Sequence, residues 1–140
     1  MGKVKKNKQP IRVVSWEEYQ KMVDTLAKKI IDHNKKMLFE CPEILVWGIP
    51  RGGTVVAVSI SHYDGKLFNY WNNDPVKYDG YEGLIVVDDI VDSGNTATPY
   101  VKLYPVASLF VREGASFEPD WYVEKLKDDT WIKFPWEKNT

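Results

Sequence analysis

Apolar residues recur along the chain in two periods, and the change of period marks its elements. Trp16, Tyr19, Val23, Leu26 and Ile30 are spaced by three and four, which lays one stripe along a helix that ends near Asn34. Ser15-Trp16-Glu17-Glu18 has the form of a capping box: the Ser15 hydroxyl can accept from the third helical amide while Glu18 reaches back. The stripe reads as core rather than as a site. After Pro42, Ile44 to Ile49 is apolar without alternation, as in a parallel strand covered on both faces, and Pro50-Arg51-Gly52-Gly53 stops it. Thr54 to Ser61 is β-branched, but directly after a Gly-Gly turn it reads as a short buried helix. Lys66 to Tyr70 is a further strand candidate, and Trp71 to Gly83, rich in Asn, Asp, Pro, Tyr and Gly, is a loop.

Leu84 to Val87 is a second strand apolar on both faces, followed by Asp88-Asp89 and a polar turn containing glycine. Asn95 to Tyr104 reads as a helix with Pro99 in or near its first turn. Val106 to Val111 and Trp121 to Val123 read as strands, and the C-terminal stretch with Trp131, Pro135 and Trp136 as irregular. Strand, turn, helix, strand in this order predicts an α/β fold with an open, mainly parallel sheet flanked by helices. There is no internal repeat.

Composition narrows the function classes. At 140 residues and 44% hydrophobic content, one domain with a single core is expected over residues 11–140, preceded by a basic, disordered tail at 1–10. That tail carries four lysines in its first eight residues and reads as a solvated arm rather than a polyanion contact. The net charge of −1 gives no field for nucleic acid, and no apolar run approaches the roughly 20 residues of a membrane helix. The basic start leads into Gln9 and Pro10, not into the apolar core of a signal peptide. A single cysteine, Cys41, allows neither an internal disulfide nor a cysteine-based zinc site, so a reducing cytoplasm is expected.

Ligands of open α/β sheets bind beyond the carboxyl ends of the strands, and two such ends carry anion chemistry. Asp92, Ser93, Gly94, Asn95 and Thr96 lead from a strand into the expected helix, whose first amides and dipole would favour a phosphate. Gly94 permits close approach, and Ser93 and Thr96 add hydroxyl donors. Asp88 and Asp89 stand just upstream, where two carboxylates beside a phosphate need hydroxyls and a cation between them. A ribose 5-phosphate with Mg²⁺ meets that need, since Mg²⁺ takes oxygen ligands. Adjacent acids after four apolar residues also resemble a Walker B segment, but no Gly-x-x-x-x-Gly-Lys-Ser/Thr loop accompanies them. At the other end, the Arg51 guanidinium beside Gly52 and Gly53 suits a diphosphate.

The string Leu84 to Thr96 resembles the phosphoribosyl diphosphate (PRPP) signature of type I phosphoribosyltransferases. Trp16, Pro50-Arg51-Gly52-Gly53, Asp129-Thr130-Trp131-Ile132 and Pro135-Trp136-Glu137 resemble the xanthine-guanine branch, and the likeness runs from about Val13 to Glu137. It implies a small C-terminal hood, a Mg²⁺ held by Asp88 and Asp89, and Asp92 as general base. It also implies a 5-phosphate at residues 92–96 and a diphosphate at Arg51, Gly52 and Gly53, with a cis bond between Pro50 and Arg51. Trp131 would stack on the purine, the Ile132 backbone would read its 2-position, and Arg112 falls where the branch places a lysine near the 6-oxo group. The implied activity is purine salvage, in which PRPP and guanine, xanthine or hypoxanthine give a nucleoside 5'-monophosphate and diphosphate. Homo-oligomers, dimers or tetramers, are the family's habit. The stretch from Gly53 to Leu84 is shorter than the family's, where it includes a mobile lid. A protein that binds PRPP or nucleotide without turnover, or a transferase for another base, stays open.

Overall fold

In a computed structural model of the chain, residues 9–34, 43–63, 67–78 and 82–138 are described. A five-stranded sheet has the order β3-β2-β4-β5-β6, with β2 at Ile44–Gly48, β3 at Phe68–Tyr70, β4 at Leu84–Val91, β5 at Val106–Arg112 and β6 at Trp121–Leu126. Every pair in it is parallel. The carboxyl ends of β2, β4 and β5 therefore face one edge. A separate parallel pair joins β1 (Ile11–Val13) to β7 (Trp131–Lys133) and forms the hood, whose strands the amphipathic pattern did not reveal.

Helix α1 spans Trp16–His33, and Ser15 Oγ accepts from the Glu18 amide at 3.0 Å. The second half of the capping box does not form, because the Glu18 carboxylate turns to the Arg12 guanidinium at 2.6 Å. Tyr19, Val23, Leu26 and Ile30 are buried as expected, but Trp16 at the start of the stripe is 58% exposed. Helix α2 spans Gly52–Ser61 despite its β-branched content. Contacts outweigh propensity there: a Cβ on Gly48 would lie 2.0 Å from the Gly53 carbonyl oxygen, so the helix start rests directly on the strand.

The two sheet faces are packed differently. Ile85 and Val87 join Val23, Leu26, Val56 and Ile60 of the helices in one cluster, whereas Leu84 and Val86 pack with Trp47, Tyr100 and Tyr104 in another. The expected helix at residues 95–104 is replaced by successive turns, with Thr98 N–H donating to the Asn95 carbonyl and Tyr100 N–H to that of Ala97. Pro99 is the reason: it has no N–H for the Asn95 carbonyl, the bond an α-helix would need at that step. Within residues 71–83 a 3₁₀ turn forms at Pro75–Lys77. Two tyrosines of the turn segment fasten it, Tyr100 through the Asp74 carboxylate and Tyr104 through the carbonyls of Pro75 and Tyr78.

At the N-terminal side, Gln9 Nε2 donates to the Asp129 carbonyl and Trp131 N–H to that of Pro10, so residues 9 and 10 are seated on the hood. The remainder of the expected tail, Cys41 and Pro42 lie outside the described residues. No helix among the described residues is long and apolar enough to cross a membrane.

Candidate active site

A cleft of about 800 Å³ opens where the carboxyl ends of β2, β4 and β5 meet the hood. It is lined by Arg51, Gly52, Asp88, Asp89, Asp92, Ser93, Gly94, Thr96, Arg112, Trp131 and Ile132. Eleven of the thirteen residues singled out from the sequence thus reach one space. The other two do not line it: Gly53 is buried inside α2, and Asn95 is exposed with its N–H engaged by Ser93 Oγ at 3.2 Å.

The acids belong to the strand rather than following it, since β4 continues through Val91. In this extended backbone Asp88 Oδ1 accepts from the Asp89 amide at 2.9 Å and Asp89 Oδ1 from the Ile90 amide at 2.8 Å. Asp89 Oδ2 lies against Gly52, where a Cβ would come within 2.0 Å of it. The acid pair and the Arg51 turn are thus in contact, and a side chain at position 52 would separate them. The peptide between Pro50 and Arg51 is cis.

Burial pushes the Asp88 carboxyl well above its usual range, and the neighbouring Asp89 charge adds to this. Asp89 is raised as well, again mainly by burial. Two adjacent, desolvated carboxylates fit a hard divalent cation, whose charge would offset both effects. Among the described residues no group of three or more His, Cys, Asp or Glu gathers for a metal, so water and substrate oxygens would complete the shell of an ion there.

Residues 92–96 form a loop, not a helix start, so the helix dipole contributes nothing to this cradle. What it offers is backbone. Gly94 has φ +94°, and the N–H groups of Gly94, Thr96 and Ala97 have no protein acceptor among the described residues. The loop is buttressed from the β5–β6 connection by Ser116 N–H, which donates to the Ser93 carbonyl at 2.8 Å. Arg112 Nε donates to Asp92 Oδ1 at 3.1 Å. The expected base ligand is therefore bonded to the expected general base.

The far wall was only partly legible. Trp131 lines the cleft, and its indole N–H is buried with no acceptor among the described residues. Phe134, Trp136, Glu137 and Lys138 line it too. Trp136 stacks on Phe134 at 4.8 Å with 3° between planes and meets Tyr19 edge-on at 5.3 Å. Trp136 lies in a turn after β7, closed by Glu137 N–H donating to the Phe134 carbonyl at 3.0 Å, a placement the linear pattern did not signal. None of the described residues between 71 and 83 lines the cleft.

No family model matches the chain. It is 27% identical to the xanthine-guanine phosphoribosyltransferase of Vibrio atlanticus, with 89% of this chain and 88% of that one covered. Identity to the Cereibacter sphaeroides xanthine-guanine phosphoribosyltransferase is 28%, over 89% of this chain and 85% of the relative. Among solved structures, the Helicobacter pylori xanthine-guanine-hypoxanthine phosphoribosyltransferase superposes with a TM-score of 0.66 at 26% identity, covering 90% of this chain and 93% of that one. The fold is that of the type I phosphoribosyltransferases. Within that class, the sequence likeness is to the xanthine-guanine branch.

Proposed function

We propose that the protein is a Mg²⁺-dependent phosphoribosyltransferase of purine salvage, converting PRPP and a 6-oxopurine to a nucleoside 5'-monophosphate and diphosphate. One observation carries this reading: the acid pair, the loop at residues 92–96, the Arg51 turn and Trp131 share a single cleft. The names of the relatives point the same way.

As diphosphate leaves C1, positive charge develops on the ribose ring, and a purine nitrogen attacks from the opposite face. In this reading Arg51 and the turn at Gly52 and Gly53 hold the departing diphosphate, and residues 92–96 hold the 5-phosphate. Asp88 and Asp89 orient the ribose hydroxyls, and their anionic field favours the cationic ring. Asp88 and Asp89 would also hold a Mg²⁺, which when bound would neutralise charge on the leaving group. Asp92 accepts the purine proton. Trp131 stacks on the base and the Ile132 backbone reads its 2-position. A cytoplasmic location, suggested by the lone Cys41, and a homo-oligomer belong to the same proposal. Val13 and Trp16, 66% and 58% exposed, are apolar surface that sedimentation would find covered.

The test is nucleotide formation from PRPP and Mg²⁺ across guanine, xanthine, hypoxanthine, adenine, orotate and uracil. Product is expected with 6-oxopurines, lost with a chelator and restored by Mg²⁺. Asp92→Ala is expected to slow it by about 10²–10⁴. Product from adenine, orotate or uracil alone would overturn the base assignment. A second reading, PRPP or nucleotide binding without turnover, draws on the lid: the described part of residues 71–83 stands away from the cleft. It predicts PRPP binding by calorimetry and no diphosphate with any base.

A further inference from the structure

We propose that Arg112 is a positioning residue that straps the proton-accepting Asp92 to the segment carrying Trp131, so that proton acceptor and base platform are held as one unit. The proposal rests on the function proposed above for Asp92 and Trp131. Strand register sets it up. Val91 of β4 pairs with Val111 of β5, so Asp92, the first residue past β4, and Arg112, the last residue of β5, stand side by side. The Arg112 side chain is only 16% exposed and that of Asp92 26%, which shelters their contact from solvent.

The guanidinium then spans to the hood. Nη1 donates to the Asp128 carbonyl at 2.6 Å and to the Thr130 carbonyl at 2.9 Å, on the connection directly before Trp131, while Nε holds Asp92. The connection is itself closed by Thr130 N–H donating to Asp128 Oδ1 at 3.1 Å, which steadies both carbonyls. A lysine has one nitrogen on a flexible stem. It could keep the charge beside Asp92 but could not bridge three acceptors on two segments from a rigid plane.

Lys in place of Arg112 therefore separates geometry from charge. With the functional reading in place, R112K is expected to lower kcat by about tenfold or more while the base KM moves by less than about threefold, the pattern of a misplaced reacting group. In a D92N background the same change should have no further effect on kcat, because the strap's partner has lost its role. Hydrogen–deuterium exchange gives a readout that needs no turnover. In R112K the amides of residues 92–97 and 128–132 should exchange faster together while those of α1 hold, and an unchanged melting temperature would exclude general unfolding. Wild-type kcat and exchange in R112K would overturn the strap, as would a rise confined to the base KM or losses that simply add in the double variant. If the wild type makes no nucleotide with any base, the functional reading fails, and the exchange pattern alone decides whether the strap exists.

Discussion

Gly94 meets two demands at once. Its φ of +94° lies in the left-handed region, and an added Cβ would stand 2.1 Å from Ser116 Oγ and 3.2 Å from the Ser116 amide nitrogen. Gly114 shares the first demand, with φ +90°, but has open space where a Cβ would go. Gly114→Ala is therefore expected to cost about 1 kcal/mol from backbone strain alone, and Gly94→Ala about 2–3 kcal/mol together with a raised KM for PRPP. Urea unfolding of both variants checks the difference, and equal losses would remove Ser116 from the account. At this scale the sequence was informative where chemistry is local. Asp88, Asp89, Asp92, Gly94 and Thr96 lie within nine consecutive positions and line one cleft. The engagement of Arg112 with Asp92, twenty residues away, depends on strand register and was not visible.

Among the elements, the 95–104 segment shows where pattern failed. Its polar start and apolar Tyr100, Val101 and Leu103 suit a helix, but Pro99 denies the bond that would propagate it, and the turns that result present Tyr100 and Tyr104 to the 74–78 stretch. Burial, together with the bond to Asp74, pushes the Tyr100 phenol up to about 12. Against an unfolded value of about 10, the folded state keeps this proton while the unfolded chain loses it, so stability from this contact is intact below pH 10 and declines as pH rises towards 12. In urea unfolding from pH 9 to pH 12, wild type should lose its advantage over Tyr100→Phe. A gap independent of pH would show that the Asp74 contact is not the cause. Strands β1 and β7 were missed for another reason: three residues each are too few to establish a period, and each becomes a strand only by finding the other. The stretch of β4 through Asp88 and Asp89 was missed because acids at a strand end look the same in sequence as acids in a turn.

For the molecule as a whole, the joint between hood and body matters most. Arg12 on β1 donates to Glu18 of α1 and to Glu124 of β6, with its guanidinium 5.3 Å from the Phe110 ring centroid. The ion pairs are about a third exposed, so they are discounted for solvent, and Arg12→Ala is expected to cost about 1–2 kcal/mol in all. Urea unfolding at low and high salt would show the loss shrinking as salt screens the pairs; a loss indifferent to salt would assign it to packing. Legible along the chain were the α/β class, the two strands covered on both faces, α1 with its Ser15 cap, and the candidate residues at 51–53 and 88–96, most of which line one cleft. Periodicity, capping and turn chemistry act over a few neighbouring residues, so they can be read along the chain. Tertiary structure alone decided that β1 and β7 close a hood, that residues 95–104 turn rather than coil, that Gly52 brings the acid pair against the Arg51 turn, and that Arg112 bonds Asp92. Each of these depends on the register and packing of segments far apart in sequence, where the energies are set by contacts the linear pattern does not contain.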